Sequence, residues 1–258
     1  MSKNLSNRYY LGNFWYRCFK AVIFIPLVRG IWRPTVIGAD KIPSSGAILA
    51  ANHLDAGDTI SLPASVKPAM IFPAKRELFE SKSIPGRIVA WFLKLVGQVP
   101  IDRSGGKASA SALGPIEEKL NDGQVIGIFP EGSRSPDARL YKGHTGVARL
   151  ALEVGKPVLP VGLINTKLTK NKLGLPTMKN AKIIIGDPID YSRFCQTRHQ
   201  LSTLRWVTND VMAHIQELTG QEYVDLYSSR VKRGKLSQVE IAENVKETPT
   251  FGMEAPDV

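Results

Sequence analysis

From about Lys41 onward, short unbroken apolar runs alternate with longer stretches whose apolar positions recur every three to four residues. Gly46–Ala51, Ala69–Pro73, Gln98–Asp102, Gln124–Phe129, Pro157–Leu163 and Ala181–Ile185 are short apolar runs bounded by polar or turn residues, which predicts buried strands. Thr59–Val66, Ile84–Val96, Lys107–Asn121, Gly146–Val154 and Thr203–Leu218 are predicted as helices. Strands and helices taken in turn imply an α/β domain over residues 41–225, with a largely parallel central sheet flanked by helices. From about Ser228 the chain turns polar, with Lys232, Arg233 and Lys235 followed by acids and two prolines. Residues 226–258 are therefore expected to form a mobile tail.

The first 40 residues follow a different pattern. Asn13, Arg17 and Lys20 recur at helical spacing as a polar stripe, and Phe14, Trp15, Cys18, Phe19, Val22 and Ile25 cover the rest of that helix. The longest uncharged apolar run there, Ala21–Val28, has eight residues, where about 20 are needed to span a bilayer. It is also short for a cleaved leader, and no A-x-A-like site follows it. Aromatic and basic residues beside a wide apolar arc suit the head-group boundary of a membrane. Residues 1–40 are therefore expected to be an amphipathic, membrane-associating helical segment; the alternative is a helix packed on the protein's own core.

Charge strengthens that reading. The 258 residues carry 34 Lys and Arg against 23 Asp and Glu, a formal net charge of +11. Residues 1–42 hold seven basic residues and one acid, so +6 of that total sits beside the aromatic segment. Such a surface attracts polyanions: nucleic acid, anionic lipid, phosphorylated metabolites or an acidic carrier protein. The position of the charge and the lack of any nucleic-acid motif argue against nucleic acid. The two cysteines, Cys18 and Cys195, support neither a disulfide framework nor a Cys-based zinc site.

Open α/β sheets gather functional groups at the carboxyl ends of their strands. Three predicted strands end in polar clusters: NHLDAGD (52–58), DRSG (102–105) and PEGSRS (130–135). In the first, His53 and Asp58 are five residues apart, about 140° around a straight helix, so their contact needs a turn. Asp55, Ala56 and Gly57 can supply it. Brought together, they form a dyad in which His53 takes a proton from a hydroxyl and Asp58 holds the imidazole. Otherwise Asp58 caps the next helix and His53 is a loop residue. Arg103 and Arg134 are candidate ligands for phosphate, and Gly132 permits close approach of backbone to a ligand. No G-x-S-x-G elbow, P-loop, G-x-G-x-x-G or H-E-x-x-H occurs, which removes the main supports for serine hydrolases, NTPases, dinucleotide enzymes and zincins.

Four blocks in this order, NHLDAGD, VPIDR (99–103), FPEGSRS (129–135) and VLPVGL (158–163), resemble the glycerolipid acyltransferase family, in particular its bacterial 1-acyl-sn-glycerol-3-phosphate acyltransferases. FPAKRELF (72–79) also resembles the family and places Lys75 where a phosphate-binding lysine stands. Ala138 replaces a common glycine, and His144 stands where a lysine is expected.

The resemblance implies acyl transfer from a thioester, acyl-CoA or acyl carrier protein, to the free sn-2 hydroxyl of lysophosphatidic acid. His53 and Asp58 would be catalytic, without an acyl-enzyme, cofactor or metal. Lys75, Arg103 and Arg134 would hold the acceptor's phosphate. Glu131 would hydrogen-bond glycerol or orient an arginine, and backbone N–H groups near Gly132 and Ser133 would face the oxyanion. Glycerol-3-phosphate, another lysophospholipid or a glycolipid is the alternative acceptor. An anionic phospholipid membrane is the implied partner, at the cytoplasmic face of the cell membrane. Residues 88–95, with Trp91 and Phe92, read as core packing or as the lining of an acyl-chain tunnel.

Overall fold

The computed structural model describes residues 13–101, 113–234 and 236–257. α1 (Phe14–Phe19) starts with Asn13 as its cap, whose Oδ1 accepts from the Tyr16 N–H at 2.7 Å. That satisfies one of the donors a helix start leaves without an internal partner. The helix runs on through two π-helical stretches, Lys20–Phe24 and Leu27–Trp32, and ends where Arg33 takes a φ of 48°. β1 (Thr35–Ile37), β2 (Ala47–Ala51), α2 (Asp58–Ser65), β3 (Met70–Ile71), β4 (Pro73–Lys75), α3 (Ile84–Leu95) and β5 (Val99–Ile101) follow. Next come α4 (Leu113–Asn121), β6 (Val125–Ile128), β7 (Leu140–Tyr141), α5 (Gly146–Val154), β8 (Val158–Ile164), β9 (Thr169–Lys170), β10 (Pro176–Thr177) and β11 (Lys182–Ile185). The chain closes with α6 (Leu201–Thr219), β12 (Tyr223–Val224), α7 (Ser228–Lys232), α8 (Gln238–Glu243) and β13 (Val245–Lys246).

The central sheet has the order β1-β11-β8-β2-β6-β3. β8, β2, β6 and β3 are parallel, and only the β11–β8 pairing is antiparallel. β2 is buried along its whole length. Ile48 and Ala50 pack on the face covered by α4, α5 and α6, while Ala47, Leu49 and Ala51 pack on the other face with Leu62 of α2. Side chains alternate between faces along a strand, so a strand covered on both sides is apolar at every position.

The predicted strands and helices are present within a few residues of the expected bounds, except that residues 107–112 of the third predicted helix lie outside the described residues. β1, β7, β9, β10, β12 and β13 were not expected; each is two or three residues long, too short to show a period.

Two expectations need correction. Residues 88–95 are not ordinary core. Ile88 and Trp91 on α3 are 62% and 59% exposed, while Phe92 packs on Phe19 and Phe24, with ring centroids 5.4 and 6.2 Å apart. Nor do residues 226–258 form a free polar tail: α7, α8 and β13 lie within them. Its scattered apolar residues Val231, Leu236, Ile241 and Val245 converge with Val224 on the buried Tyr141. A segment polar on average can still bury one patch when its few apolar side chains meet at one place.

Lys20 ties the N-terminal helix down. Its Nζ donates to the carbonyls of Val66, Lys67 and Pro68 at 2.6, 3.3 and 3.1 Å, just past the end of α2. Phe14, Trp15, Val22 and Ile23 remain exposed. No helix among the described residues is long and apolar enough to cross a membrane.

Candidate active site

The pairing of β2 with β6 builds the site. Ala50 of β2 stands opposite Ile128 of β6. Three residues beyond that pair, the same register places His53 opposite Glu131. The contact is made: Glu131 Oε1 accepts from the His53 backbone N–H at 3.0 Å, and the His53 carbonyl accepts from the Ser135 N–H at 2.7 Å. The loop after β6 thus grips the His53 backbone from both sides. Asn52, fully buried, adds a third hold, its side chain exchanging hydrogen bonds with the Leu163 N–H and C=O at 2.7 and 2.9 Å.

The turn over residues 55–57 brings Asp58 back to His53. The Asp58 N–H donates to the Asp55 carbonyl at 3.2 Å, and α2 starts at Asp58 itself with Gly57 as cap. Asp58 Oδ2 accepts from His53 Nδ1 at 2.9 Å and from the Leu54 and Asp55 N–H groups at 2.7 and 2.8 Å. Asp58 is fully buried, and its Oδ1 has no hydrogen-bond partner among the described residues. Asp58 therefore both holds the histidine and ties up the loop. An Nδ1–H bonded to a carboxylate leaves Nε2 as the nitrogen with a free lone pair. Phe129 stacks on the imidazole at 4.0 Å and 14°, and Phe72 stacks on Phe129 at 5.3 Å. Gly127 makes room for Phe72, whose ring would lie 2.3 Å from a Cβ there.

Glu131 is 1% exposed, and both its oxygens serve the backbone, since Oε2 accepts from the Tyr141 N–H at 3.1 Å. Burial pushes its carboxyl up to about 8, against the pull of these two hydrogen bonds. Expected to hydrogen-bond glycerol or to orient an arginine, Glu131 here holds the backbone of His53 and of Tyr141. Gly132, at φ 70°, forms the turn; its N–H donates to the Phe129 carbonyl at 3.0 Å. Ser133 Oγ meets Ser228 Oγ at 2.7 Å. Arg134 is exposed on the same loop. Lys75 ends β4, beside β5, and its side chain lies outside the described atoms, as does the whole of Arg103. His53, Asp58, Glu131, Gly132, Ser133 and Arg134 are thus brought together.

Several neighbours carried no sequence signal. Ser228 and Tyr227 come from the segment read as a tail, and Tyr227 stacks on His144 at 4.4 Å. Phe72 and Phe129 read as strand residues. Asn52 had a signal, a polar residue directly after a fully apolar strand. Ala138, where a glycine was expected, adopts a φ of 69°, a conformation that favours glycine. A cleft of about 830 Å³ bounded by Val28, Arg33, Asp40, Ile42 and Lys67 involves residues that precede β2 or follow α2, at the far ends of these elements from His53. Among the described residues, no group of His, Cys, Asp and Glu could hold a metal ion.

A model of the Acyltransferase family matches residues 33–164. The 1-acyl-sn-glycerol-3-phosphate acyltransferase of Bacillus subtilis (strain 168) is 32% identical over 181 residues, covering 69% of this chain and 83% of its own length. The chloroplastic enzyme LPAT1 of the same description from Arabidopsis thaliana is 30% identical over 63% of this chain, which spans only 45% of that relative. The crystal structure of the 1-acyl-sn-glycerophosphate (LPA) acyltransferase PlsC from Thermotoga maritima aligns with a TM-score of 0.53 at 27% identity, over 79% of this chain and 78% of that one. A family match over half of the chain, spanning the strand-end loops that hold His53, Asp58 and Glu131, makes this protein a member of the acyltransferase family.

Proposed function

We propose that the protein transfers a fatty acyl group from an acyl thioester to the free sn-2 hydroxyl of lysophosphatidic acid, giving phosphatidic acid. The observation that carries this is the His53–Asp58 pair, with Nε2 of a stacked imidazole left open at a strand end beside the exposed Arg134. As the acceptor oxygen attacks the thioester carbonyl, a C–O bond forms and the hydroxyl proton passes to His53 Nε2. Asp58 stabilises the imidazolium. Collapse of the tetrahedral intermediate breaks the C–S bond, and the imidazolium returns the proton to the thiolate. No residue of the protein is acylated. Arg134, with Lys75 and Arg103, holds the acceptor phosphate and so places its hydroxyl.

The donor is acyl-CoA or acyl carrier protein; both are anionic and suit a chain of net charge +11. The exposed apolar side chains of α1 and α3 dock on an anionic membrane, at the cytoplasmic face where thioester donors are found.

The test is thiol release from a long-chain acyl-CoA in mixed micelles, with and without lysophosphatidic acid. Release should require the acceptor, and His53→Ala should lower turnover about 10²–10⁴-fold, the usual worth of a general base. Near-wild-type turnover in His53→Ala would sink the mechanism. Release without acceptor would mean a thioesterase. Activity only with glycerol-3-phosphate or with a glycolipid would change the acceptor and keep the chemistry.

A further inference from the structure

α7 begins at Ser228 and ends at Lys232. Side chains four apart on a helix share a face, so Lys232 stands one turn along from Ser228. Ser228 is fully buried; its Oγ meets Ser133 Oγ at 2.7 Å and donates to the Glu131 carbonyl at 3.4 Å. Lys232 is thereby carried to the loop that bears Arg134. Both cations are exposed, and among the described residues neither makes an ion pair. Partial desolvation, then the charge of Arg134, holds the Lys232 ammonium below the usual lysine range. Glu131 lies in the same field, but both its oxygens are taken by backbone N–H groups. Like charges on α7 and on the loop bonded to it repel each other until an anion lies between them.

The segment that carries Lys232 is fixed. β12 pairs with β7, Tyr223 opposite Leu140 and Val224 opposite Tyr141. Arg205 donates to the Gly143 carbonyl at 2.7 Å and to the Tyr227 hydroxyl at 3.1 Å. Lys142 pairs with Asp225 at 3.0 Å. Gln221 Oε1 accepts from Asn52 Nδ2 at 2.9 Å, which links this segment to the residue next to His53.

We propose that Lys232 binds the phosphate of the acceptor together with Arg134, so that the C-terminal segment forms one wall of the acceptor site. The assignment rests on acyl transfer to a phosphate-bearing acceptor and adds a residue beyond the family match at 33–164. Arg134 supplies a planar fork and Lys232 a compact point charge, which together suit a dianion.

The experiment compares Lys232→Ala, Lys232→Arg, Lys232→Glu and Arg233→Ala in the full chain, with lysophosphatidic acid and with a monoacylglycerol that lacks the phosphate. Lys232→Ala should raise the apparent KM for lysophosphatidic acid about tenfold with kcat within about twofold, because a phosphate held equally in ground and transition states affects binding alone. Lys232→Arg should restore most of the loss, and Lys232→Glu should exceed it. Any slow acylation of monoacylglycerol should be unchanged in all four. Arg233→Ala removes the same charge one residue away and should leave KM unchanged, which separates a specific contact from general attraction to anionic micelles. Lys232→Ala that behaves like Arg233→Ala overturns the assignment alone. So does a fall in kcat and thermal stability at constant KM, the signature of a counter-ion to Glu131. A wild type that acylates no phosphate-bearing acceptor overturns the functional reading and this assignment together.

Discussion

Glu131 and Asp58 are the two buried carboxyl groups of the site, and each holds His53 in a different way. Asp58 grips the ring and the turn that follows it; Glu131 grips the backbone N–H. Gln at 131 keeps one acceptor but turns an amide N–H against the Tyr141 N–H, at a cost of about 1–3 kcal/mol for an unpaired buried donor. The cost should depend on pH. Burial raises the folded carboxyl from 4.5 to about 8, so the folded protein binds this proton more tightly than the unfolded chain. The resulting stability is fully present below the unfolded value and is lost as pH rises through about 8. Denaturant unfolding at pH 5 and pH 8.5 should therefore show wild type losing ground to Glu131→Gln at the higher pH. A constant difference would mean that Glu131 is ionised throughout.

At the scale of elements, one side chain clamps the N-terminal helix to the domain. The three carbonyls that meet Lys20 lie between α2 and β3, where a helix end leaves acceptors without internal partners. Tyr16 adds a second tie: its hydroxyl, beside Ala69 and Val96, accepts from the Met70 N–H at 2.9 Å. Lys20→Met keeps the apolar stem and removes the ammonium. It should lower the free energy of unfolding by about 1–3 kcal/mol, the cost of buried polar groups left unpaired. Trp15 is 49% exposed and Trp32 3% exposed, so their fluorescence reports one exposed and one buried end of the helical run. If the clamp works as described, proteolysis near residue 33 should speed up in the variant; an unchanged rate would show that packing alone suffices.

Across the whole molecule, the proposed chemistry and the proposed attachment fall on different elements. The His53–Asp58 pair sits at the carboxyl ends of the central strands, while α1 and α3 carry large apolar side chains on their outer surfaces among the exposed Arg17, Arg87 and Lys94. Exposed apolar groups flanked by basic residues gain from contact with anionic bilayers. Trp91→Glu should reduce partitioning to phosphatidylglycerol vesicles about tenfold in a flotation assay. It should leave denaturant stability unchanged, because Trp91 is already 59% exposed. Binding equal to wild type would remove α3 from the docking surface.

The sequence by itself determined the α/β class and the strands around β2 and β6, and it permitted the pairing of His53 with Asp58, which the family resemblance favoured over a capping role and the folded turn then made. These depend on local periodicity and on a turn of three residues, both written in consecutive positions. The role of Glu131 was not legible, because the same Pro-Glu-Gly turn serves either to reach a ligand or to hold a neighbouring backbone; the β2–β6 register decides between them. Ser133 and Ser228, 95 residues apart, meet only because β12 pairs with β7. The apolar residues of the last segment are too sparse for any period, and α3 shows an amphipathic pattern that does not say which face meets solvent. Long-range register and the choice of buried face arise from the mutual packing of elements, so the tertiary structure alone brought the C-terminal segment to the Glu131 loop and fixed the exposed face of α3.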